Sequence, residues 1–273
     1  MFSIALAGKG SAGKSTLMPY LIDALRTIAL DARLLVIDAD PHMSTCSLLG
    51  IRPEATLGTL RSHYERELAR GIGLHDETRV AFAERQMGAQ ALVKADGFDL
   101  LALGHWEALG SQCTVNRVLE RSLEGLAGRY DIVLFDHEAG IEQMGRFAAI
   151  PLDLLLLVAT PEPLFLDVAA QILERRNEVS RSIGQSWLVL NRMQEGDLAD
   201  PDLPTTMQAL DVDMIAALLP ESPALRRLSR GRHAPLQLDP HDPWAMRVRA
   251  LCSKVALQAV RQGQAKLHAL AML

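Results

Sequence analysis

Cysteine is scarce in this chain: only Cys46, Cys113 and Cys252 occur among its 273 residues. An odd, widely spaced set is no disulfide framework, and it points to a reducing compartment. Long apolar runs are missing as well. None exceeds Leu154–Ala159, which is far too short to cross a bilayer and reads as a buried strand. The N-terminus enters an apolar stretch and a glycine loop with no basic leader or cleavage site, so an ordinary secretory signal is excluded and a cytoplasmic protein is expected. There is no positive excess either. The formal net charge of −5 argues against broad electrostatic binding to nucleic acid, and no nucleic-acid partner is expected. The eight histidines show no close ligand spacing, so none is assigned to a metal.

What the chain does have is a large apolar fraction, 49%, enough for a substantial core. Short apolar runs alternate with helix-length amphipathic stretches, which predicts an α/β fold with a mostly parallel central sheet and helices on both faces. Strands are expected at Phe2–Ala7, Arg33–Ile37, Phe98–Leu101, Ile132–Phe135, Leu154–Ala159, Trp187–Leu190 and Met214–Leu218. Helices are expected at Lys14–Thr27, Val115–Leu126, Leu166–Ile183, Pro223–Ser229 and Pro243–Leu270. Residues 52–96 carry more Glu, Arg and Gly and no strand signal before Phe98; they read as a helical surface excursion. Without a repeat, linker or low-complexity tract, residues 1–273 are taken as one domain.

Gly8-Lys9-Gly10-Ser11-Ala12-Gly13-Lys14-Ser15-Thr16 follows the first expected strand and opens a helix. It satisfies G-x-x-x-x-G-K-[ST], a phosphate-binding loop. Backbone N–H groups turn toward phosphate oxygens, the helix N-terminus adds positive potential, Lys14 neutralises phosphate charge and the Ser15 hydroxyl suits Mg²⁺. Ser11 stands at a loop position where a positive φ would strain a side-chain-bearing residue. Two carboxylate motifs at expected strand ends accompany the loop: Asp38-Ala39-Asp40-Pro41, and Phe135-Asp136 followed by His137-Glu138-Ala139-Gly140-Ile141-Glu142.

The second lysine of the loop, Lys9, resembles the deviant loop of the MinD/ParA/nitrogenase-iron-protein group. That resemblance implies an ATPase, with Mg²⁺, in which Lys9 reaches the nucleotide of a partner subunit and acts as an arginine finger does. It implies that Asp38 lies near the Mg²⁺ shell, that Asp40 orients the attacking water, and that Asp136 meets Mg²⁺ through water. Gly140 would sense the γ-phosphate. Asn191 and Arg192 follow the Trp187–Leu190 strand, and by the same resemblance Asn191 would hydrogen-bond adenine as both donor and acceptor. Leu219-Pro220-Glu221-Ser222 would form the opposite wall of that pocket. No Asn/Thr-Lys-x-Asp guanine signature occurs, which favours ATP over GTP.

Asp136-His137-Glu138-Ala139-Gly140-Ile141-Glu142 with Gly145-Arg146 further resembles the second switch of CooC-type ATPases, which serve nickel insertion into carbon monoxide dehydrogenase. The resemblance extends from the loop to Asn191-Arg192. It implies an ATP-gated homodimer with a nickel–iron–sulfur client, and a Ni²⁺ or Zn²⁺ site at the dimer interface built from a Cys-x-Cys pair of each subunit. Here Ser111 stands in place of the first Cys and only Cys113 remains; Gln143 also replaces a histidine usual in that family. Two Cys113 thiolates across a dimer make an incomplete metal site, for which His105 and His137 are candidate helpers. The alternative function is a MinD/ParA-like positioning or partition ATPase. It needs a membrane tail or a basic surface, but Val255–Leu273 has few cations on its polar face and reads as a helix packed on the sheet, so no membrane partner is expected. An electron-donating iron protein needs two placed cysteines per subunit, which the switch does not offer.

Overall fold

The computed structural model describes residues 1–69, 76–105, 114–137, 150–179, 183–231 and 233–271. In chain order the elements are β1 (Phe2–Ala7), α1 (Lys14–Ile28), β2 (Leu34–Asp38), α2 (Ser44–Leu49), α3 (Leu57–Ala69), α4 (Asp76–Gln86), β3 (Leu92–Ala95), β4 (Phe98–Ala102), α5 (Thr114–Ala127), β5 (Ile132–Asp136) and β6 (Leu152–Ala159). They continue with α6 (Pro163–Val179), β7 (Ile183–Met193), α7 (Asp202–Ala209), β8 (Met214–Pro220), α8 (Pro223–Arg230) and α9 (Pro243–Ala271).

The strands form one eight-stranded sheet in the order β3-β4-β2-β5-β1-β6-β7-β8. Every pairing is parallel except that of the edge strand β3 with β4. All residues of β1, β2 and β5 are buried, because alternate side chains enter two separate cores. Phe2, Ile4 and Leu6 of β1 join Leu17, Leu21 and Trp244 on the face covered by α1 and α9. Ala5 and Ala7 join Leu60, Leu119, Leu123, Leu166 and Ile172 on the face covered by α3, α5 and α6. The apolar side of α9 is used inside the protein: Val248, Leu251, Val255, Ala256 and Ala259 are all buried.

Two sequence expectations need correction. The segment 52–96 does hold helices, α3 and α4, but it ends in a strand, β3, before Phe98. That strand has only four residues, with Lys94 paired to Asp99 of β4, and a two-residue turn at Asp96-Gly97 supplies its register. The expected helix Leu166–Ile183 ends at Val179, and Ile183 opens β7 through parallel pairing with Leu152 of β6. An apolar residue at a helix–strand junction fits both periodicities, and sheet pairing decides between them.

Candidate functional site

The carboxyl ends of β1, β2 and β5 lie side by side, with Asp136 in register with both Leu6 and Asp38. At this end of a parallel sheet, strand-end side chains and helix N-termini converge on one crevice. β1 runs into the loop Gly8–Gly13, and α1 starts at Lys14. Gly8, at φ 139°, packs its Cα so closely on the Val158 carbonyl of β6 that an added Cβ would sit 2.1 Å from the oxygen. Gly13, at φ 102°, would drive a Cβ to 2.3 Å from Asn191 Nδ2. Ser11 takes the positive φ, 69°, that its place in the loop foreshadowed.

Lys14 is buried and its ammonium donates to the carbonyls of Gly8 (2.9 Å) and Lys9 (3.3 Å). These carbonyls hold the cation inside the loop. Ala12 N–H donates to the Lys9 carbonyl (3.2 Å), closing the turn. Lys9 points elsewhere: its Nζ lies 4.8 Å above the ring of Phe165, in the first turn of α6. Gly10, Ser11, Gly13, Lys14, Ser15 and Thr16 line a cleft of about 1060 Å³ together with Asp40, His42, His137 and Arg192.

Asp136 is 1% exposed. Its Oδ2 accepts from the Thr45 hydroxyl of α2 at 2.7 Å, while Oδ1 is buried without a hydrogen bond of ordinary geometry among the described residues. Burial pushes its pKa up to about 6; the Thr45 and Ser15 hydroxyls beside it pull the other way. A buried carboxylate with a spare oxygen, next to a serine hydroxyl and a phosphate loop, has the donor set that Mg²⁺ takes, one carboxylate plus oxygens from substrate and water. The residues therefore fit a Mg-nucleotide.

Asp38 behaves differently. Its Oδ2 accepts from the Cys46 amide (2.8 Å) and its Oδ1 from the Asp40 amide (3.3 Å), which ties the β2–α2 turn to the strand end. Burial raises its pKa, and those amide bonds oppose the rise. Burial also pushes the Cys46 thiol up, so Cys46 is a packed thiol that donates to Asp38. Asp40 projects into the cleft, accepting from the His42 amide (2.9 Å) and the Ser44 hydroxyl. His137 is buried and stacked on Phe135 at 5.6 Å, and burial with Lys14 nearby lowers its pKa to about 4, so it is neutral.

A second, connected pocket of about 360 Å³ is lined by Gly13, Thr16, Asn191, Arg192, Pro220, Glu221, Ser222, Leu225, Arg226 and Trp244. Asn191 and Pro220, 29 positions apart in sequence, thus meet in one pocket. Asn191 is buried and heavily engaged: Nδ2 donates to the Ala12 carbonyl (2.8 Å), and Oδ1 accepts from Trp244 Nε1 (2.9 Å) and the Arg192 amide (3.0 Å). Both lone pairs of its oxygen are used, so only one amide N–H is left for a ligand. This narrows the donor-and-acceptor role expected from sequence to a donor role. The same side chain braces the phosphate loop against α9. Arg192 is exposed at φ 59°, next to that brace.

Sequence reasoning missed Thr45, Trp244 and Phe165, whose contacts reach Asp136, Asn191 and Lys9 across 91, 53 and 156 positions. Gly140 and Cys113 lie outside the described residues, as do Ser111 and Gln143. Among the described residues no group of three or more His, Cys, Asp or Glu could hold a metal, and His105 is exposed while His137 is buried in the cleft. The expected Ni²⁺ or Zn²⁺ has no support there.

No protein-family model matches this chain. It is 29% identical over 191 residues to an uncharacterised ATP-binding protein of Methanocaldococcus jannaschii, covering 70% of this chain and 74% of the relative. It is 35% identical over 177 residues to the carbon monoxide dehydrogenase accessory protein CooC of Rhodospirillum rubrum, covering 62% of this chain and 66% of that protein. The structure of the septum site-determining protein MinD with Mg-ADP from Pyrococcus horikoshii superposes with a TM-score of 0.63 at 20% identity, over 93% of this chain and 95% of that one. The chain has the fold of the MinD/ParA P-loop ATPases. In this MinD/ParA-type fold the phosphate loop, the Asp38–Asp40 turn and the Asp136 strand end form one crevice, and the pocket beside Asn191 continues it.

Proposed function

We propose that the chain binds and hydrolyses Mg-ATP as a nucleotide-gated homodimer that assists nickel insertion into the metallocentre of an enzyme such as carbon monoxide dehydrogenase. The observation that carries the nucleotide half is the spare buried oxygen of Asp136, set among Ser15, Thr45 and the Lys14 ammonium. The client half rests on the relationship to CooC and on the second-switch motif from Asp136 to Glu142.

In this reading Lys14 leaves the Gly8 and Lys9 carbonyls for the β- and γ-phosphates, and loop amides bind the remaining oxygens. Bound Mg²⁺ supplies charge neutralisation between phosphates, with Ser15 and Asp136 holding it. Asp40 orients the attacking water; its links to the His42 amide and Ser44 hydroxyl fix the carboxylate in the cleft. Adenine enters the pocket between Asn191 and Pro220, receiving the free Asn191 N–H. Lys9 completes the partner's site.

A positioning role like that of MinD has less support. It needs an apolar face for a membrane, and α9 spends that face on the sheet as far as Ala259. Among the described residues no helix is long and apolar enough to cross a bilayer.

Asp40→Ala tests both halves. It should keep ATP affinity near wild type and lower single-turnover hydrolysis by roughly 10²-fold or more, trapping the ATP form. Unchanged hydrolysis removes Asp40 from the mechanism. The trapped form should co-purify a nickel–iron–sulfur enzyme from the native cytosol; capture of septum or partition proteins in its place overturns the client assignment and leaves the ATPase standing.

A further inference from the structure

Lys9 and Lys14 share one loop and are held in opposite ways. The Lys14 ammonium points into the phosphate crevice and donates to the Lys9 carbonyl, so it anchors the Lys9 backbone. The Lys9 side chain turns away and rests on the face of Phe165. That ring has a firm seat. α6 begins in a turn with two prolines, Pro161-Glu162-Pro163, and the Phe165 amide donates to the Glu162 carbonyl at 2.9 Å. The turn itself abuts the loop, because Gly8 sits directly against Val158 at the end of β6. Gly8 and Lys9 are therefore pressed on the β6–α6 corner at two points, one through backbone and one through a cation on an aromatic face.

We propose that Phe165 is a positioning residue for Lys9: it holds the lysine on its own subunit, and ATP-dependent pairing must lift the ammonium off the ring. This role rests on the reading of Lys9 as the residue that crosses to a partner. ATP acts on only one of the two holds. Phosphate draws Lys14 away from the Lys9 carbonyl and loosens the backbone, but the contact with Phe165 persists until the partner's phosphates offer a stronger site. Pairing is thus opposed twice per dimer, once for each lysine. A cation over an aromatic ring at a partly exposed site is worth roughly a 2–5-fold bias per lysine, so about 5–25-fold for two.

The test measures the monomer and the dimer separately. With ¹³C-methylated lysines, the Lys9 signal of the nucleotide-free protein should be shifted upfield by the ring, and it should move to the ordinary lysine position in Phe165→Leu. Sedimentation with ATP should then show Phe165→Leu dimerising about 5–25-fold more tightly than wild type, while Phe165→Tyr, which restores an aromatic face, stays near wild type. A loss of packing alone would not separate Leu from Tyr in this way, nor tighten a dimer. The proposal is overturned if the Lys9 signal is the same in wild type and Phe165→Leu, or if Phe165→Leu dimerises no more tightly than wild type. A wild type that shows the upfield signal yet stays monomeric with ATP keeps the contact but removes its role in pairing, together with the gated-dimer reading.

Discussion

At the scale of single residues, the two buried aspartates at neighbouring strand ends have different work because their hydrogen bonds differ. Asp38 spends both oxygens on backbone amides, whereas Asp136 keeps one oxygen in reserve. The sequence showed each as a carboxylate after an apolar strand and could not separate them, since the amides of Asp40 and Cys46 and the hydroxyl of Thr45 come within reach only once α2 folds back. The reserve has a titration signature. With its pKa pushed up to about 6 by burial, Asp136 holds a proton more tightly folded than unfolded. Its contribution to stability without ligand therefore falls as pH rises from the ordinary carboxylate range, near 4, to about 6. Metal binding needs the charged form. Mg-dependent nucleotide affinity should fall by about tenfold per pH unit below about 6 and level off above it. Calorimetry at pH 5.5 in two buffers of different ionisation enthalpy should find more protons released by wild type than by Asp136→Asn, the nucleotide's own protons cancelling between them. Equal proton counts would detach Asp136 from the metal.

At the scale of elements, α9 connects the C-terminal half of the chain to the phosphate loop. Trp244, 1% exposed, packs edge-on against Tyr20 of α1 with centroids 5.4 Å apart and donates to Asn191, which in turn holds the Ala12 carbonyl. Trp244→Phe keeps much of the apolar contact but leaves the Asn191 oxygen short of one donor in a buried place. A destabilisation of about 1–3 kcal/mol is expected, read as a lower urea midpoint, with weaker nucleotide binding because the brace on Gly13 loosens. A midpoint equal to wild type would mean that water replaces the indole N–H. The elements differ in how far sequence exposes them. The strands of the sheet centre were legible because burial on both faces makes them continuous apolar runs, and α1 because its phosphate motif fixes its start. β3 was not, since four residues with a lysine carry no such signal and only the hairpin with β4 makes them a strand. α7, Asp202–Ala209, was equally hidden: with Leu203 and Met207 as its only buried residues, its apolar stripe is too short to mark a helix. In the site, the loop and both aspartate motifs were legible because phosphate chemistry demands those residue types in a fixed local order. Thr45, Trp244 and Phe165 were hidden because each acts through one long-range contact, and nothing in the neighbouring sequence distinguishes such a residue from core.

At the scale of the whole molecule, the loop carries more cation than one subunit's nucleotide requires. In the proposed reading Lys14 serves the phosphates from within the crevice, where its ammonium now donates to the Gly8 carbonyl, while Lys9 lies outside it on the β6–α6 corner. A cation that works only after crossing to another subunit makes nucleotide binding and pairing two ends of one equilibrium. If ATP strengthens the dimer by some factor, pairing must strengthen ATP binding by the same factor. Lys9→Ala should uncouple them. The monomer should bind ATP with near wild-type affinity, since Lys14, Ser15 and the loop amides remain. It should show no ATP-induced rise in sedimentation coefficient, and turnover should drop by roughly 10³-fold, the scale of a lost arginine finger. Wild type should be mainly monomeric with ADP and dimeric with a non-hydrolysable ATP analogue. Its apparent ATP affinity should also rise with protein concentration, because concentration drives pairing, whereas that of Lys9→Ala should be flat. A concentration-independent affinity in wild type, or full turnover by Lys9→Ala, would place the whole reaction inside one subunit.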